Sequence, residues 1–304
     1  MWPGNNSNLK QVTRGFAASF VFVALFIATN GAAEERGEQH AVRGIVLQVD
    51  SAHRTVEVSC DEIPDYMAAM EMAFRLRNAK DAESLKPGTK IRFVMNQQGK
   101  TLYAEDVHVE TTAVFEPEPI EAGGLTALHK ALHPAVKPVA IGQSVPDFSL
   151  TDQAGSPVRL SQFQGKVVAL TFGYSRCPNP NYCYRLSNNL AQVRKQLHEQ
   201  AGRDLILLTI AIDPENDKGE ALAQYAAAFH ADPQSWHFLT GPKPEIEKVA
   251  AAYGMNYWSN EGLITHSLHT VVLDRQGRLA VNLEGNQFTP KQLADLVRSV
   301  IERP

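Results

Sequence analysis

The chain has 304 residues, enough for two modest domains behind a leader. Its apolar content of 44% and charged content of 20% mark a globular protein, and a net charge of −4 argues against a nucleic-acid partner. Three cysteines are too few for a disulfide scaffold.

Residues 1–33 read as a targeting segment. Lys10 and Arg14 form a positive front, an uncharged apolar stretch follows from Phe16 to Ala28, and Gly31-Ala32-Ala33 offers small residues for cleavage before Glu34. As a helix, the uncharged run from Gly15 to Ala33 would reach about 28 Å, close to the bilayer core, so a cleaved signal peptide and a retained membrane anchor both stand. Either way the protein is expected in the periplasm or on the outer face of the cytoplasmic membrane.

Residues 42–110 predict short strands joined by turns. Val42 to Val49 is one strand and Thr55 to Ser59 the next, while Lys90 to Met95 and Thr101 to Val109 pair across Gln97-Gln-Gly-Lys100, with Lys86-Pro-Gly-Thr89 as a further turn. Several short strands in so little chain imply a small closed all-β barrel of the OB type. Four of the six methionines fall between positions 67 and 95. Met70 and Met72 share one face of an extended strand, and thioethers are soft ligands that select Cu(I). Cys60, at the end of the preceding strand, is expected to face this pair across the barrel, with Met67 nearby.

Residues 111–140 read as a linker, broken by Glu116-Pro-Glu-Pro119, Gly123-Gly124, Pro134 and Pro138. His129 and His133 lie in or beside its weakly helical centre and are read as solvated residues rather than a metal clamp.

From 141 to 304 strands and helices alternate. Lys166 to Phe172 and Asp204 to Ile212 are apolar enough to be buried on both faces. Helical patterns cover Leu186 to Glu199, Gly219 to Phe229 and Pro244 to Tyr253. A hairpin from Leu268 to Asn282 turns at Asp274-Arg-Gln-Gly277, and Thr289-Pro290 opens a last helix to Ile301. The order predicts a thioredoxin-like three-layer α/β domain.

Cys177 and Cys183 stand in a Pro-rich turn between the first buried strand and the first helix, with five residues between them. A strand-to-helix turn leaves thiols partly exposed and close to a helix N-terminus, which favours the thiolate. Such a pair can cycle between dithiol and a Cys177–Cys183 disulfide, or hold a soft metal. The loop is wider than Cys-x-x-Cys, which suits an ion between two sulfurs. His266, just before the hairpin strand, completes a soft three-coordinate set fit for Cu(I), whereas Zn(II) would want a fourth ligand. His269, three residues on, should face the other way.

Residues 141–304 resemble the Sco/SenC family of copper-binding, thioredoxin-like proteins. The resemblance is carried by Pro146-Asp-Phe, Phe172-Gly-Tyr-Ser-Arg-Cys-Pro178, Ile212-Asp-Pro-Glu-Asn-Asp217, Leu239-Thr-Gly241, Thr265-His-Ser and Leu273-Asp-Arg-Gln-Gly277. It implies Cys177, Cys183 and His266 as copper ligands, with Asp213 near the site. The spacing of the two cysteines is wider than the family's. The resemblance further implies delivery of copper to, or reduction of the cysteines of, the binuclear copper site of cytochrome c oxidase. The run from Ile63 to Phe74 resembles the CusF-type periplasmic copper carriers. Met70 and Met72 match the methionine pair, Cys60 stands in place of the histidine, and Met67 in place of the covering tryptophan.

Two functions are therefore expected to compete. One is a two-domain copper metallochaperone acting on the apo copper subunit of cytochrome c oxidase or another acceptor. The other is a thiol–disulfide oxidoreductase of the cell envelope, supplied by a thioredoxin-like reductant.

Overall fold

The computed structural model describes residues 39–110, 137–260 and 262–303. Residues 1–33, expected to be a targeting segment, and most of residues 111–140, expected to be a linker, with His129 and His133, lie outside these residues. The described residues all fall within one compact unit, Arg36–Pro304.

The first half is a closed five-stranded barrel in the order β1-β2-β3-β5-β4. Its strands are β1 (Gln39–Asp50), β2 (Thr55–Cys60), β3 (Met70–Leu76), β4 (Lys90–Gln98) and β5 (Thr101–Val109), with a short helix α1 (Asp81–Ser84) before β4. All neighbours are antiparallel except β3 and β5, whose parallel pairing through Arg75↔Tyr103 and Leu76↔Ala104 closes the barrel. The period of two fills the interior: Val56, Val58 and Cys60 from β2, Phe74 and Leu76 from β3, and Ile91, Phe93 and Met95 from β4. Phe74 and Phe93 meet edge to face at 4.8 Å. Gly44 pairs with Cys60 across β1 and β2. A Cβ there would stand 2.5 Å from the Ser59 carbonyl oxygen, so a side chain at position 44 would push the two strands apart.

The second half is a seven-stranded sheet in the order β14-β13-β8-β9-β10-β6-β7. Its strands are β6 (Ser149–Asp152), β7 (Pro157–Arg159), β8 (Val167–Gly173), β9 (Leu205–Ala211), β10 (Trp236–Thr240), β13 (His269–Leu273) and β14 (Leu279–Glu284). The central strands β8, β9 and β10 run parallel, and every residue of β8 and β9 is buried. The helices are α2 (Arg185–Gln196), α3 (Gly219–Ala228), α4 (Lys243–Ala252) and α5 (Pro290–Ile301). One core joins the sheet to α2, α3 and α5 through residues such as Leu186, Leu190, Leu222 and Leu296, while the other joins it to α4 through Ile246 and Val249. This is the thioredoxin-like three-layer arrangement.

Two features go beyond the sequence reading. Strands β6, β7 and β10, and a small hairpin of β11 (Tyr257–Asn260) and β12 (Leu263–His266), were not expected. All are three to five residues long, too short to show a period. The barrel is also docked on the sheet domain. Ile45 and Leu47 of β1 belong to the same core as α2 and α5, and Arg303 donates to the Leu47 carbonyl at 2.7 Å.

Candidate metal centre

β8 delivers the chain to Gly173, where the loop carrying both cysteines begins. Pro178 and Pro180 keep the loop from entering a helix at once. Asn179 accepts from the Asn181 amide at 2.9 Å, and a helical turn, Pro180–Tyr184, bends at Tyr182 into α2. Four contacts fix the loop from outside. The fully buried Asp217 accepts from the Ser175 amide at 3.0 Å and from the Ser175 hydroxyl. Arg176 pairs with Asp213 at 2.6 Å. Asn286, before α5, donates to the Asn181 carbonyl at 2.5 Å. The Ile264 amide donates to the Tyr174 hydroxyl at 3.3 Å, which ties the β11–β12 hairpin to the end of β8.

That hairpin ends on His266, which is buried. Its Nδ1 lies 2.9 Å from the Ser267 carbonyl, which can only accept, so Nδ1 carries the proton. The lone pair of Nε2 then points at Cys183 Sγ, 3.1 Å away. Burial pulls the imidazole down to about 4, so it is neutral at ordinary pH. Both thiols of the pair are free and hydrogen-bonded to one another. That bond lowers Cys177 to about 6, against the opposing effect of its half-burial. The same bond and deep burial hold Cys183 protonated. The pair therefore carries one negative charge, on the more accessible sulfur. In the reduced protein, alkylation of Cys177 should rise through about pH 6 and level off, while Cys183 stays unmodified to alkaline pH. Mass mapping after a short iodoacetamide pulse reads this; equal labelling of the two residues would rule it out.

Cys183 and His266 thus meet, and Cys177 stands beside Cys183. Among the described residues no three His, Cys, Asp or Glu side chains are already set as a metal cluster, so an ion seated between Cys183 and His266 would need the Cys177 sulfur to close on it. The donor set, two sulfurs and a neutral imidazole in a dry pocket, fits a soft monovalent ion. Asp213 reaches the loop through Arg176, not through a sulfur. His269 turns away from this group, with its Nδ1 2.9 Å from Asn282 Oδ1. Sequence reasoning missed Asp217, Ser175, Tyr174 and Asn286. Asp217 lay inside a quoted motif, but nothing local distinguishes it from Asp213.

In the barrel, Cys60 pairs directly with Met70, and Val58 with Met72. Cys60 therefore lies beside Met70 on the adjacent strand rather than facing it across the barrel; strand pairing, invisible in the sequence, decides this. Cys60 is buried, Met72 half-buried and Met70 exposed at the rim. Burial, and next the Asp61 carboxylate, push the Cys60 thiol up to about 12. Met67 bridges to Ile63 and packs on the barrel core, and Tyr66 stacks on His40 with ring centroids 3.6 Å apart.

Comparison with known proteins adds two matches. The SCO1/SenC family profile covers residues 140–302, and the profile described as copper binding periplasmic protein CusF covers residues 39–109. The mitochondrial protein SCO2 homologs of Bos taurus and Homo sapiens are each 30% identical to this chain, over 171 and 173 residues. These alignments take in 54% of this chain and 61% of each relative, so the chain spans about three fifths of their length. The crystal structure of Arabidopsis thaliana ScoI with copper bound is 26% identical and covers 53% of this chain and 100% of that one, with a TM-score of 0.47.

Proposed function

The chain belongs to the SCO1/SenC family, and from that membership together with the contact between Cys183 and His266 we propose that it is an exported copper metallochaperone. Cu(I) is the cargo, held by Cys177, Cys183 and His266. The acceptor is the apo copper subunit of cytochrome c oxidase or another protein with an empty copper site. The observation that carries this reading is the Nε2 lone pair of a neutral, buried imidazole aimed at a cysteine sulfur 3.1 Å away. That lone pair is a ligand position for a soft ion; in dithiol exchange its use would be as a base for the Cys183 thiol.

The barrel, residues 42–110, acts as a second copper module through Cys60, Met70 and Met72, and residues 141–304 form the delivery domain. The linker at 111–140 joins them, and the segment at 1–33 exports or anchors the chain. Ligand exchange between two soft sites carries the ion, with no catalytic turnover.

A second reading is favoured by the lowered Cys177. Its thiolate attacks a partner disulfide, forming one S–S bond and releasing one partner thiolate. Cys183 then attacks the mixed disulfide, which leaves a Cys177–Cys183 disulfide and a reduced partner. A thioredoxin-like reductant would reset the pair. One experiment separates the two. Reduced full-length protein is loaded with Cu(I) against a competing chelator, and bound ions are counted. Close to two ions per chain support the chaperone. No retained ion, with rapid reduction of a disulfide substrate, would discard it in favour of the oxidoreductase.

A further inference from the structure

The barrel ligands sit on strands whose outward neighbours are gripped by α5. On β2, Cys60 points inward, so Ser59 and Asp61 on either side of it point out. The Ser59 hydroxyl donates to Asp295 at 2.7 Å, and Gln292 donates to Asp61 at 2.8 Å. On β3, Met72 packs against the barrel core, Met70 follows on the same strand face at the exposed rim, and Glu71, between them, lies on the opposite face. Arg298 donates to Glu71 at 2.6 Å and to Asp295 at 3.1 Å. Lys291 completes the group with a contact to Asp295 at 2.6 Å, and Asp295 itself is buried. Each of the three soft ligands is thus flanked by a residue that a helix of the other half of the molecule holds.

We infer that α5 is a positioning element for the soft-ligand mouth of the barrel: Gln292, Asp295 and Arg298 set Cys60, Met70 and Met72 in place by holding Ser59, Asp61 and Glu71. The inference rests on the reading of the barrel as a copper site. The rim end of β3 pairs with β2 alone, since β5 joins β3 only at Arg75 and Leu76, so a brace on the outer face adds to its precision. Here the brace is a helix whose opposite side is locked into the sheet core through Leu293, Leu296 and Val297. Contacts of this kind limit how far the strands that carry the ligands can shift. The loop before the same helix carries Asn286, which holds the loop with Cys177 and Cys183. The stretch from Asn286 to Arg298 therefore touches both the cysteine loop and the strands of the barrel ligands.

The test uses the full chain with Cys177→Ser and Cys183→Ser, so that the barrel supplies the remaining thiol. Cu(I) affinity is read by competition with a chromogenic chelator. This parent should hold one ion. Ser59→Ala and Arg298→Ala should each weaken it about tenfold, in line with the loss expected for outer-sphere partners. Arg298→Lys, which keeps a cation beside Glu71, should restore most of the affinity. Arg298 is partly exposed, so its replacement leaves the core intact, and circular dichroism checks the fold. A parent that holds no ion overturns the reading of the barrel as a copper site. A parent that holds one ion, with both alanine variants binding as tightly, overturns the role of α5 alone. So does a loss that Arg298→Lys fails to restore.

Discussion

Replacing Cys183 by serine is expected to leave a folded protein without the tight Cu(I) site proposed for the thioredoxin-like half. Cys183 is the one sulfur in contact with both His266 and Cys177, so its removal breaks two sides of the proposed triangle. A drop of at least about a hundredfold in Cu(I) affinity, ~2.8 kcal/mol, is the expected scale. The cost to stability is small. Serine fills nearly the same volume, and its hydroxyl can donate to the same Nε2, so no buried polar group is stranded and the loss stays near about 1 kcal/mol. His266→Ala should weaken copper as well while leaving the dithiol chemistry of Cys177 and Cys183 intact. Chelator competition and thermal unfolding, run on the same samples, separate the two effects. Wild-type copper affinity in Cys183→Ser would remove the basis for a three-ligand site.

Substituting Gly173 by valine should damage stability and copper binding together. A Cβ at this position would lie 3.0 Å from the Tyr225 hydroxyl and 3.1 Å from the Cys183 Cβ. Tyr225 is buried against Phe229 and Phe238, and Cys183 is fully buried in the helical turn that leads into α2, so neither neighbour can yield freely. Overpacking of this kind costs about 1–3 kcal/mol, and the branched side chain places valine at the upper end. The displaced atom is the Cys183 Cβ, so its sulfur should leave the 3.1 Å contact with His266 and the affinity for Cu(I) should fall in parallel. Gly173→Ala should show the same pattern at smaller amplitude. If the valine variant melts with the parent and keeps its copper, the backbone is more compliant here than the packing implies.

The long elements were legible because their physics is local. The apolar runs of β8 and β9 admit little but buried strands, and the Thr289-Pro290 start of α5 is a capping box with proline in the first turn. The cysteine pair and His266 were legible from residue type and from their place at strand ends. What stayed hidden depends on pairing between distant segments. Whether Cys60 lies beside Met70 or opposite it is set by the register of β2 on β3. The choice of Asp217 over Asp213 as the clamp on Ser175 follows from how the 213–218 turn meets the cysteine loop. The docking of the barrel was hidden for the same reason. Ser59 and Asp295 are separated by 236 positions and carry no mark of each other.

The proton that His266 commits to the Ser267 carbonyl fixes the balance of charge when copper enters. The ring meets the ion already neutral and has nothing to shed. Cys177 is anionic above about pH 6, so near neutrality the only hydrogen displaced is that of Cys183. Loading then liberates about one proton per ion, and unloading must recapture it. On the proposed chaperone reading, acid conditions would accordingly favour release of the ion and alkaline conditions its retention.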